Sequence, residues 1–420
     1  MRRRPGGRPG AAGAAACLCA AAVVLAGCGG SPPGAQASAG PSTPVTGSSE
    51  AGAGSWRAES SGTGQRLYGV ACLSALRCEA VGAAGTIVAT ADGGRTWRAQ
   101  ANPLRGSSTP LYAIACVAPR SCYVIARPNT ILVTHDGGAS WSRHVLPVGV
   151  SGADLTDQAC LPAYAIVGRP ALCRLGLLDI ACVGAGVCSA VATAPSAYDN
   201  GTPVPKTPHA APSSIWLTRD GGASWTRQSI PPGVACNGDC QSGLYAYPLE
   251  WITCLSSGLC RAGGGDLVDC GHCGFAYAVL LTRGPGQPWI CAQSTVMCAG
   301  VAPDAANCPT STSCYGVQST NPFGGPDGGV NVYQSSDGGA GWDQIGPQLG
   351  WSTSVLNAIT CPAALTCYLA GSGGSIARIT NRTTVTAQPS PTHSDLYGIG
   401  CAGPATCYAV GDNGTILALG

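Results

Sequence analysis

The 420-residue chain has few large, flexible apolar side chains and few charges, with two phenylalanines, two methionines and 10% charged residues. Glycine and proline are abundant, at 62 and 32 residues, which is typical of all-β folds with many short strands and turns. Four arginines lie in the first ten residues, and the remainder carries 18 basic and 20 acidic residues. Because nucleic-acid binding requires a basic surface, the composition argues against it.

Compact catalytic motifs are also missing from the sequence. It contains no G-x-S-x-G elbow, no H-E-x-x-H helix and no phosphate-binding loop, the motifs of serine hydrolases, zinc proteases and nucleotide-binding proteins. The histidines are scattered along the chain, at His135, His144, His209, His272 and His393. We therefore expect no cofactor and no metal site built on histidine.

The N-terminus has the pattern of an export signal. A basic stretch precedes an apolar run over 11–26 that ends in Leu25-Ala26-Gly27-Cys28, and this run is too short for a stable membrane span. The ending resembles the bacterial lipobox, which implies that residues 1–27 are removed and Cys28 is lipidated. The alternative is an ordinary signal peptide with a chance cysteine. Residues 28–54 are rich in Gly, Ser, Pro and Ala, which predicts a flexible tether at the outer face of the cell membrane.

One motif recurs seven times along the chain: an alternating strand, a Cys, five residues, a second Cys and another strand. A five-residue hairpin loop brings two Cα atoms within disulfide range, and an exported protein meets an oxidising compartment. The sequence therefore predicts seven short-range disulfides. The predicted pairs are Cys72–Cys78, Cys116–Cys122, Cys182–Cys188, Cys254–Cys260, Cys308–Cys314, Cys361–Cys367 and Cys401–Cys407.

A third strand follows in each repeat and, in four repeats, enters a turn of the form S/T-x-D-G-G-x-x-W. The Asp carboxylate can accept N–H groups across the turn, and glycines tolerate positive φ. This turn resembles the Asp box of the bacterial neuraminidase repeat, in which these residues have a structural role. The corresponding residues are Asp92, Asp136, Asp220 and Asp337, with Trp97, Trp141, Trp225 and Trp342.

Four antiparallel strands per repeat predict the blade of a β-propeller, and seven repeats predict seven blades over residues 55–420. The seventh repeat stops after its third strand, while 55–58 matches the fourth strand of the first repeat. We therefore expect an N-terminal strand to close the ring and remove its free edges. The pattern resembles Asp-box and photosystem II assembly-factor-like propellers. The high-GC, actinobacterial type of composition argues against a role in photosynthesis itself.

The two faces of the predicted propeller are unequal. The A–B and C–D turns are short, whereas all long insertions are B–C or D–A connections and lie on the other face; they are 144–176, 193–213, 229–248, 262–275, 291–305 and 319–330. The remaining cysteines fall in or beside them, at Cys160, Cys173, Cys236, Cys240, Cys270, Cys273, Cys291 and Cys298. Long loops on a rigid scaffold are often functional, although insertions also accumulate where they are tolerated.

We therefore predict a recognition face for a protein or a cell-wall glycan on a monomeric scaffold protein. The candidate residues are Tyr164, Tyr198, Tyr245, Tyr247, Glu250, Asp266 and Tyr277. Two segments, CNGDC at 236–240 and CGHC at 270–273, together resemble a zinc ribbon with His272 as a spare ligand. Outside the cytosol, disulfides are favoured over zinc.

The competing hypothesis is a secreted glycoside hydrolase of the sialidase-like, Asp-box group. Such an enzyme needs two carboxyl groups about 5–9.5 Å apart across a cleft. The mature body has few glutamates, and only Glu250 is predicted near the insertion-bearing face, with Asp179, Asp266 and Asp269 as further candidates. No motif fixes their geometry, so the sequence favours a non-catalytic binding protein.

Overall fold

The computed structural model describes residues 54–117, 120–149, 176–184, 186–193, 198–199, 202–203, 213–230, 249–269, 274–297, 303–318, 331–346 and 355–420. It confirms the predicted all-β propeller, with seven four-stranded antiparallel sheets. Residues 1–53 lie outside this part, so the signal peptide, the lipidation of Cys28 and the tether stay predictions. No helix in the described residues is long and apolar enough to span a membrane.

Each blade uses strands that follow one another in the chain, and only the last blade takes a strand from the other end. Blade 1 contains β2 (Leu67–Ser74), β3 (Arg77–Gly82), β4 (Thr86–Thr90) and β5 (Arg98–Ala99); blade 2 contains β6 (Leu111–Val117), β7 (Ser121–Ala126), β8 (Thr130–Thr134) and β9 (Ser142–Val145). Blade 3 contains β10 (Gly176–Gly184), β11 (Val187–Thr193), β14 (Ser213–Thr218) and β15 (Thr226–Gln228), with a small hairpin, β12 (Tyr198–Asp199) and β13 (Thr202–Pro203), in its B–C connection.

The remaining blades follow the same order. Blade 4 contains β16 (Trp251–Cys254), β17 (Cys260–Asp269), β18 (Gly274–Arg283) and β19 (Ile290–Met297); blade 5 contains β20 (Ala305–Asn307), β21 (Cys314–Gln318), β22 (Asn331–Ser335) and β23 (Asp343–Gln344). Blade 6 contains β24 (Leu356–Ala363), β25 (Thr366–Gly371), β26 (Ile376–Thr380) and β27 (Thr384–Gln388); blade 7 contains β28 (Leu396–Gly403), β29 (Thr406–Gly411), β30 (Ile416–Leu419) and β1 (Trp56–Glu59). Single 3-10 turns lie at Ala83–Gly85, Ser372–Gly374 and Asp412–Gly414.

The ring closes through β1, as the sequence predicts. β1 pairs antiparallel with β30, and Trp56 lies opposite Leu419. The Trp56 side chain is 6% exposed and meets the ring of Tyr368, on blade 6, edge to face at 6.1 Å. The first strand therefore completes the last blade and also packs against the blade before it.

The apolar core lies between the blades. Each described cluster of buried residues joins two consecutive blades, which we call a joint. In β7, Cys122 and Val124 belong to the joint with blade 1, whereas Tyr123 and Ile125 belong to the joint with blade 3. Because successive side chains of a strand point to opposite faces, one buried strand contributes to two joints.

All seven predicted cysteine pairs form disulfides in the structure, with Cα–Cα distances of 4.0–4.1 Å. Each disulfide joins the two innermost strands of its blade across the A–B turn. In five of the seven pairs, Cys72–Cys78 among them, the two cysteines lie directly opposite each other in the strand register.

Blade 4 corrects part of the insertion pattern. The prediction that 262–275 is a loop is wrong, because β17 and β18 continue through most of it. The predicted loop at 291–305 begins as strand instead, since β19 extends to Met297. β17 and β18 remain paired as far as Asp269 opposite Gly274. The glycine-rich sequence 263–265 suggests a loop, but pairing with the neighbouring strand supplies the hydrogen bonds that keep this backbone extended.

The four Asp boxes form the predicted structural turns. In the first, Asp92 Oδ1 accepts hydrogen bonds from Thr96 N at 2.9 Å and Thr90 Oγ1 at 2.8 Å, and Asp92 Oδ2 accepts one from Thr96 Oγ1 at 2.7 Å. Gly93 and Gly94 both have positive φ, at 75° and 87°. A Cβ at Gly94 would lie 2.8 Å from the ring of Tyr408 on the preceding blade, so this glycine also permits a close contact across a joint.

The Asp boxes are expected to stabilise the fold at neutral pH and to lose this effect in acid. The hydrogen bonds of Thr96 and Thr90 lower the pKa of Asp92 to about 2. Since that value lies below the unfolded pKa of about 3.9, the contribution is present above about pH 4 and is lost as the pH falls towards 2. We expect Asp92→Asn to lower the thermal midpoint at pH 7 and to differ much less from the wild type near pH 2.

Thermal unfolding at both pH values measures this effect, with Asp343→Asn, an exposed position in β23, as the matched control. If Asp92→Asn lowers the thermal midpoint by the same amount at both pH values, the ionised carboxylate does not have the proposed role.

Candidate functional site

A bulge recurs at the start of the innermost strand in five consecutive blades, from blade 6 through blade 7 and blade 1 to blade 3. The bulged residue is the fourth before the first cysteine, at Asn357, Tyr397, Tyr68, Tyr112 and Leu178. A bulge inserts one unpaired residue and re-aims its side chain. The start of each innermost strand directly follows a D–A connection. The bulged residues therefore lie at the face of the propeller on which the insertions are predicted.

Three of these bulged residues form a row of aromatic rings across blades 7, 1 and 2. The ring centroid of Tyr68 lies 5.6 Å from that of Tyr397 and 4.7 Å from that of Tyr112. A guanidinium covers each end of the row: Arg66 Cζ lies 5.3 Å from the Tyr397 centroid, and Arg127 Cζ lies 4.2 Å from the Tyr112 centroid. With Asp412, which binds Arg66, these residues are called the Tyr–Arg cluster: Arg66, Tyr68, Tyr112, Arg127, Tyr397 and Asp412.

Local backbone contacts hold the two arginines in place. Arg66 directly precedes β2, and its carbonyl accepts a hydrogen bond from Ala83 N at 2.8 Å. A Cβ at Gly82 would lie 2.0 Å from that carbonyl oxygen, so a glycine is needed there. Arg127 lies in the B–C turn of blade 2, where Pro128 O accepts a hydrogen bond from Leu177 N of blade 3 at 2.8 Å.

The cluster carries two positive charges and one negative charge. Arg66 Nε pairs with Asp412 Oδ1, and the hydroxyl of Tyr397 donates to Asp412 Oδ2 at 3.3 Å. Burial alone would lower the pKa of Arg66. The hydrogen bond with Asp412 and the neighbouring Tyr397 and Tyr68 outweigh this effect and raise the pKa above its ordinary value. Burial lowers the pKa of Arg127 to about 10, so both guanidiniums are charged at neutral pH. The net positive charge suits a ligand with a carboxylate.

The sequence-predicted face residues are not gathered into one described site. Tyr164, Tyr245 and Tyr247 lie outside the described residues, and Tyr198 begins the hairpin strand β12. Asp266 and Tyr277 lie opposite each other in the register of β17 and β18. Glu250 is half-buried before β16, and its N–H donates to Gly263 O at 2.8 Å. Both zinc-ribbon segments, 236–240 and 270–273, also lie outside the described residues.

Sequence reasoning missed the Tyr–Arg cluster although a signal was present. The Leu-Tyr dipeptide recurs at the same position in blades 1, 2 and 7, at 67–68, 111–112 and 396–397. In an alternating strand this tyrosine counts as an ordinary outward residue. Only the bulge and the closure of the ring bring the three rings together.

Asp179, a sequence candidate for a catalytic carboxyl group, has a structural role in the structure. Its Oδ1 accepts a hydrogen bond from Ile180 N at 2.8 Å, and its Oδ2 accepts one from Ile252 N at 2.9 Å. Burial raises the pKa of Asp179 to about 7, against the lowering effect of these two bonds. The side chain therefore links the innermost strands of blades 3 and 4.

The comparisons with known proteins agree with this fold. The family model described as "Photosynthesis system II assembly factor YCF48" matches residues 49–164, whereas no curated protein matches the chain. A solved structure described as "YCF48 bound to D1 peptide" is 16% identical, with a TM-score of 0.56, and the match covers 87% of this chain and 94% of that one. "YCF48 from Cyanidioschyzon merolae" is 17% identical, with a TM-score of 0.55 and coverage of 87% and 98%. "Streptogramin B lyase structure" is 10% identical, with a TM-score of 0.54 and coverage of 87% and 97%. The chain is thus similar in fold to propellers with different functions.

Proposed function

We propose that this protein is a non-catalytic binding or scaffold propeller that recognises a polypeptide segment through its insertion-bearing face. The observation that carries the proposal is the Tyr–Arg cluster, in which three tyrosine rings lie between two charged guanidiniums. Tyrosine and arginine dominate the binding energy of protein interfaces because they combine large rigid surfaces with directional donors. A solved propeller of similar fold, described as "YCF48 bound to D1 peptide", supports the same class of ligand.

The chemistry of the cluster favours a peptide with a carboxylate, either a free C-terminus or an acidic side chain. Guanidinium and carboxylate groups can form two parallel hydrogen bonds, and the tyrosine rings offer apolar area for neighbouring side chains. The B–C and D–A connections of blades 3 and 5, which the sequence predicts on the same face, would add a second contact region. A lipid on Cys28 would hold the protein at the outer side of the cell membrane, close to exported partners.

A cell-wall glycan is the second candidate ligand, because a row of aromatic rings can also stack on sugars. The glycoside-hydrolase alternative loses one of its candidate acids, since both oxygens of Asp179 accept backbone hydrogen bonds. Asp412, the acid within the Tyr–Arg cluster, is paired with Arg66. These contacts favour binding over hydrolysis.

The test is an array of synthetic peptides with free C-termini, each compared with its C-terminally amidated copy, and with soluble cell-wall fragments as the glycan probe. We expect the wild-type protein to retain peptides with free carboxylates. Tyr68→Ala and Arg127→Ala should each weaken that binding by about tenfold or more, the effect of removing an interface hot spot.

Arg227→Ala is the matched control for this test, because Arg227 is exposed on β15 at the outer edge of blade 3. It should bind as the wild type does. If the protein retains only cell-wall fragments, its ligand is a glycan and not a peptide. If all three variants bind equally well, the Tyr–Arg cluster has no role in binding.

A further inference from the structure

The residue after the second cysteine of each pair faces the next blade. It is tyrosine in four blades, namely Tyr123, Tyr315, Tyr368 and Tyr408. The hydroxyl of Tyr315 donates to Ala364 O at 3.1 Å, and that of Tyr368 donates to Pro404 O at 2.8 Å, each in the A–B turn of the following blade. The ring of Tyr408 meets that of Trp97 edge to face at 5.5 Å. This tyrosine therefore fills the joint beside the Asp box.

Blade 1 has Glu79 at this position, and the joint with blade 2 contains a cavity of about 330 Å³. Gln100 takes over some contacts that the tyrosine makes elsewhere. Its Oε1 accepts a hydrogen bond from Trp141 Nε1 at 3.2 Å, and its Nε2 donates to Gly137 O at 3.3 Å. The side chain of Glu79 is smaller than a tyrosine ring, so the space beside it remains open.

The floor of this cavity carries a buried acceptor. Glu79 is 4% exposed, and its Oε2 has no hydrogen-bond partner among the described residues. Burial raises the pKa of Glu79 to about 7, and the charge of Asp136 adds to this effect while a hydrogen bond from Gln100 opposes it. A buried carboxylate with one oxygen that lacks a donor is costly, so a ligand that supplies donors and positive charge would lower that cost.

The surroundings of Glu79 define the chemistry of such a ligand. Sulfur atoms of Cys116 and Cys122 lie within 4.8 Å of its carboxylate, but their disulfide leaves no thiolate to bind a metal. Leu73 and Ala89 give the cavity apolar walls. The charged groups that line it are Arg77 on β3, Arg98 beyond β4 and Asp92 in the Asp box.

We propose that this cavity binds a primary ammonium group on a short alkyl stem, with Glu79 as its counter-ion. An ammonium supplies three donors and no acceptor, which complements the unpartnered oxygen, and the stem would contact the apolar walls. The two arginines at the rim favour a ligand whose far end is anionic. An amino acid of the lysine type has this chemistry, either free or as a side chain in a polypeptide. The site lies on the Asp-box face and is independent of the peptide site proposed above.

The experiment is a calorimetric titration of the full protein with Nα-acetyl-lysine, and with Nα,Nε-diacetyl-lysine as the probe that keeps the carboxylate but lacks the ammonium. We expect saturable binding of the first probe alone, stronger by about tenfold or more at pH 8 than at pH 5.5, because Glu79 must be ionised. Asp92 and Asp136 stay ionised over this range, because hydrogen bonds within their turns lower the pKa of both carboxyl groups. A lysine-containing peptide with blocked termini is the second ammonium probe. It distinguishes a lysine side chain in a polypeptide from a free amino acid as the source of the ammonium.

Two variants of Glu79 test its role. Glu79→Gln keeps the shape and removes the charge, and it should weaken binding by about tenfold or more. Glu79→Tyr restores the side chain that four other blades carry, and it should abolish binding while the thermal midpoint stays the same or rises. Glu59→Gln, at an ion-paired glutamate on β1, is the control and should bind as the wild type does. No saturable binding of either ammonium probe at pH 8, or unchanged binding by Glu79→Gln, would overturn the proposal.

Discussion

Complete reduction of the disulfides is expected to unfold the propeller at room temperature. Each of the seven described disulfides closes a loop with five residues between the cysteines. On the chain-entropy account each stabilises the fold by about 2–2.5 kcal/mol, and together they match or exceed the roughly 5–15 kcal/mol of a typical domain. The described core contains no Phe or Met and many Ala and Val side chains, which bury less apolar area per residue.

Urea unfolding of the oxidised protein and of the reduced, alkylated protein measures this effect. Circular dichroism should show a cooperative transition only in the oxidised protein. The control is protein treated with the alkylating reagent but without the reductant, which should unfold as the untreated protein does. Cooperative unfolding of the reduced protein at the same urea concentration would show that the inter-blade core suffices.

Truncation of the closing strand is the second change with a large expected effect. Trp56→Ala should lower the free energy of unfolding by about 3–5 kcal/mol, the usual cost of truncating a buried tryptophan. The loss should be large here because Trp56 is 6% exposed and belongs to the joint between blades 6 and 7. Trp56 also meets the ring of Tyr368 on blade 6, so its removal weakens both the last blade and its joint with blade 6.

Arg57→Ala is the matched control, because Arg57 is the next residue on β1 and is 52% exposed in its pair with Glu59. An exposed ion pair contributes about 1 kcal/mol or less, so this variant should unfold close to the wild type. Urea titrations of both variants measure the difference. A Trp56→Ala variant as stable as Arg57→Ala would contradict closure through this joint.

The fold could be predicted from the sequence because its signals are local. The Cys-x5-Cys spacing marks a hairpin in each repeat, and the D-G-G turn has the residues that positive φ and a capped carboxylate require. The ring closure was visible because 55–58 repeats the end of the first repeat. The strands of blade 4 were missed since cross-strand hydrogen bonds, rather than side-chain alternation, keep 263–269 extended.

The candidate sites could not be predicted because they depend on contacts between blades. Tyr397 reaches Tyr68 only after the ring has closed, and a bulge turns both side chains away from the positions that alternation implies. Glu79 looks like an ordinary polar residue of a strand. The structure shows that a tyrosine fills the joint at the equivalent position of four other blades. The cavity beside Glu79 is explained by the absence of that tyrosine.

Hydrogen–deuterium exchange with and without a peptide selected from the array tests the central claim most directly. The proposed function predicts slower exchange in the bound state at the starts of β2, β6 and β28 and in the turn at 127–129, which surround the Tyr–Arg cluster. The Asp-box turns on the other face should exchange at the same rate in both states. Protection confined to the Asp-box turns, with none at the Tyr–Arg cluster, would contradict the assignment of the binding face.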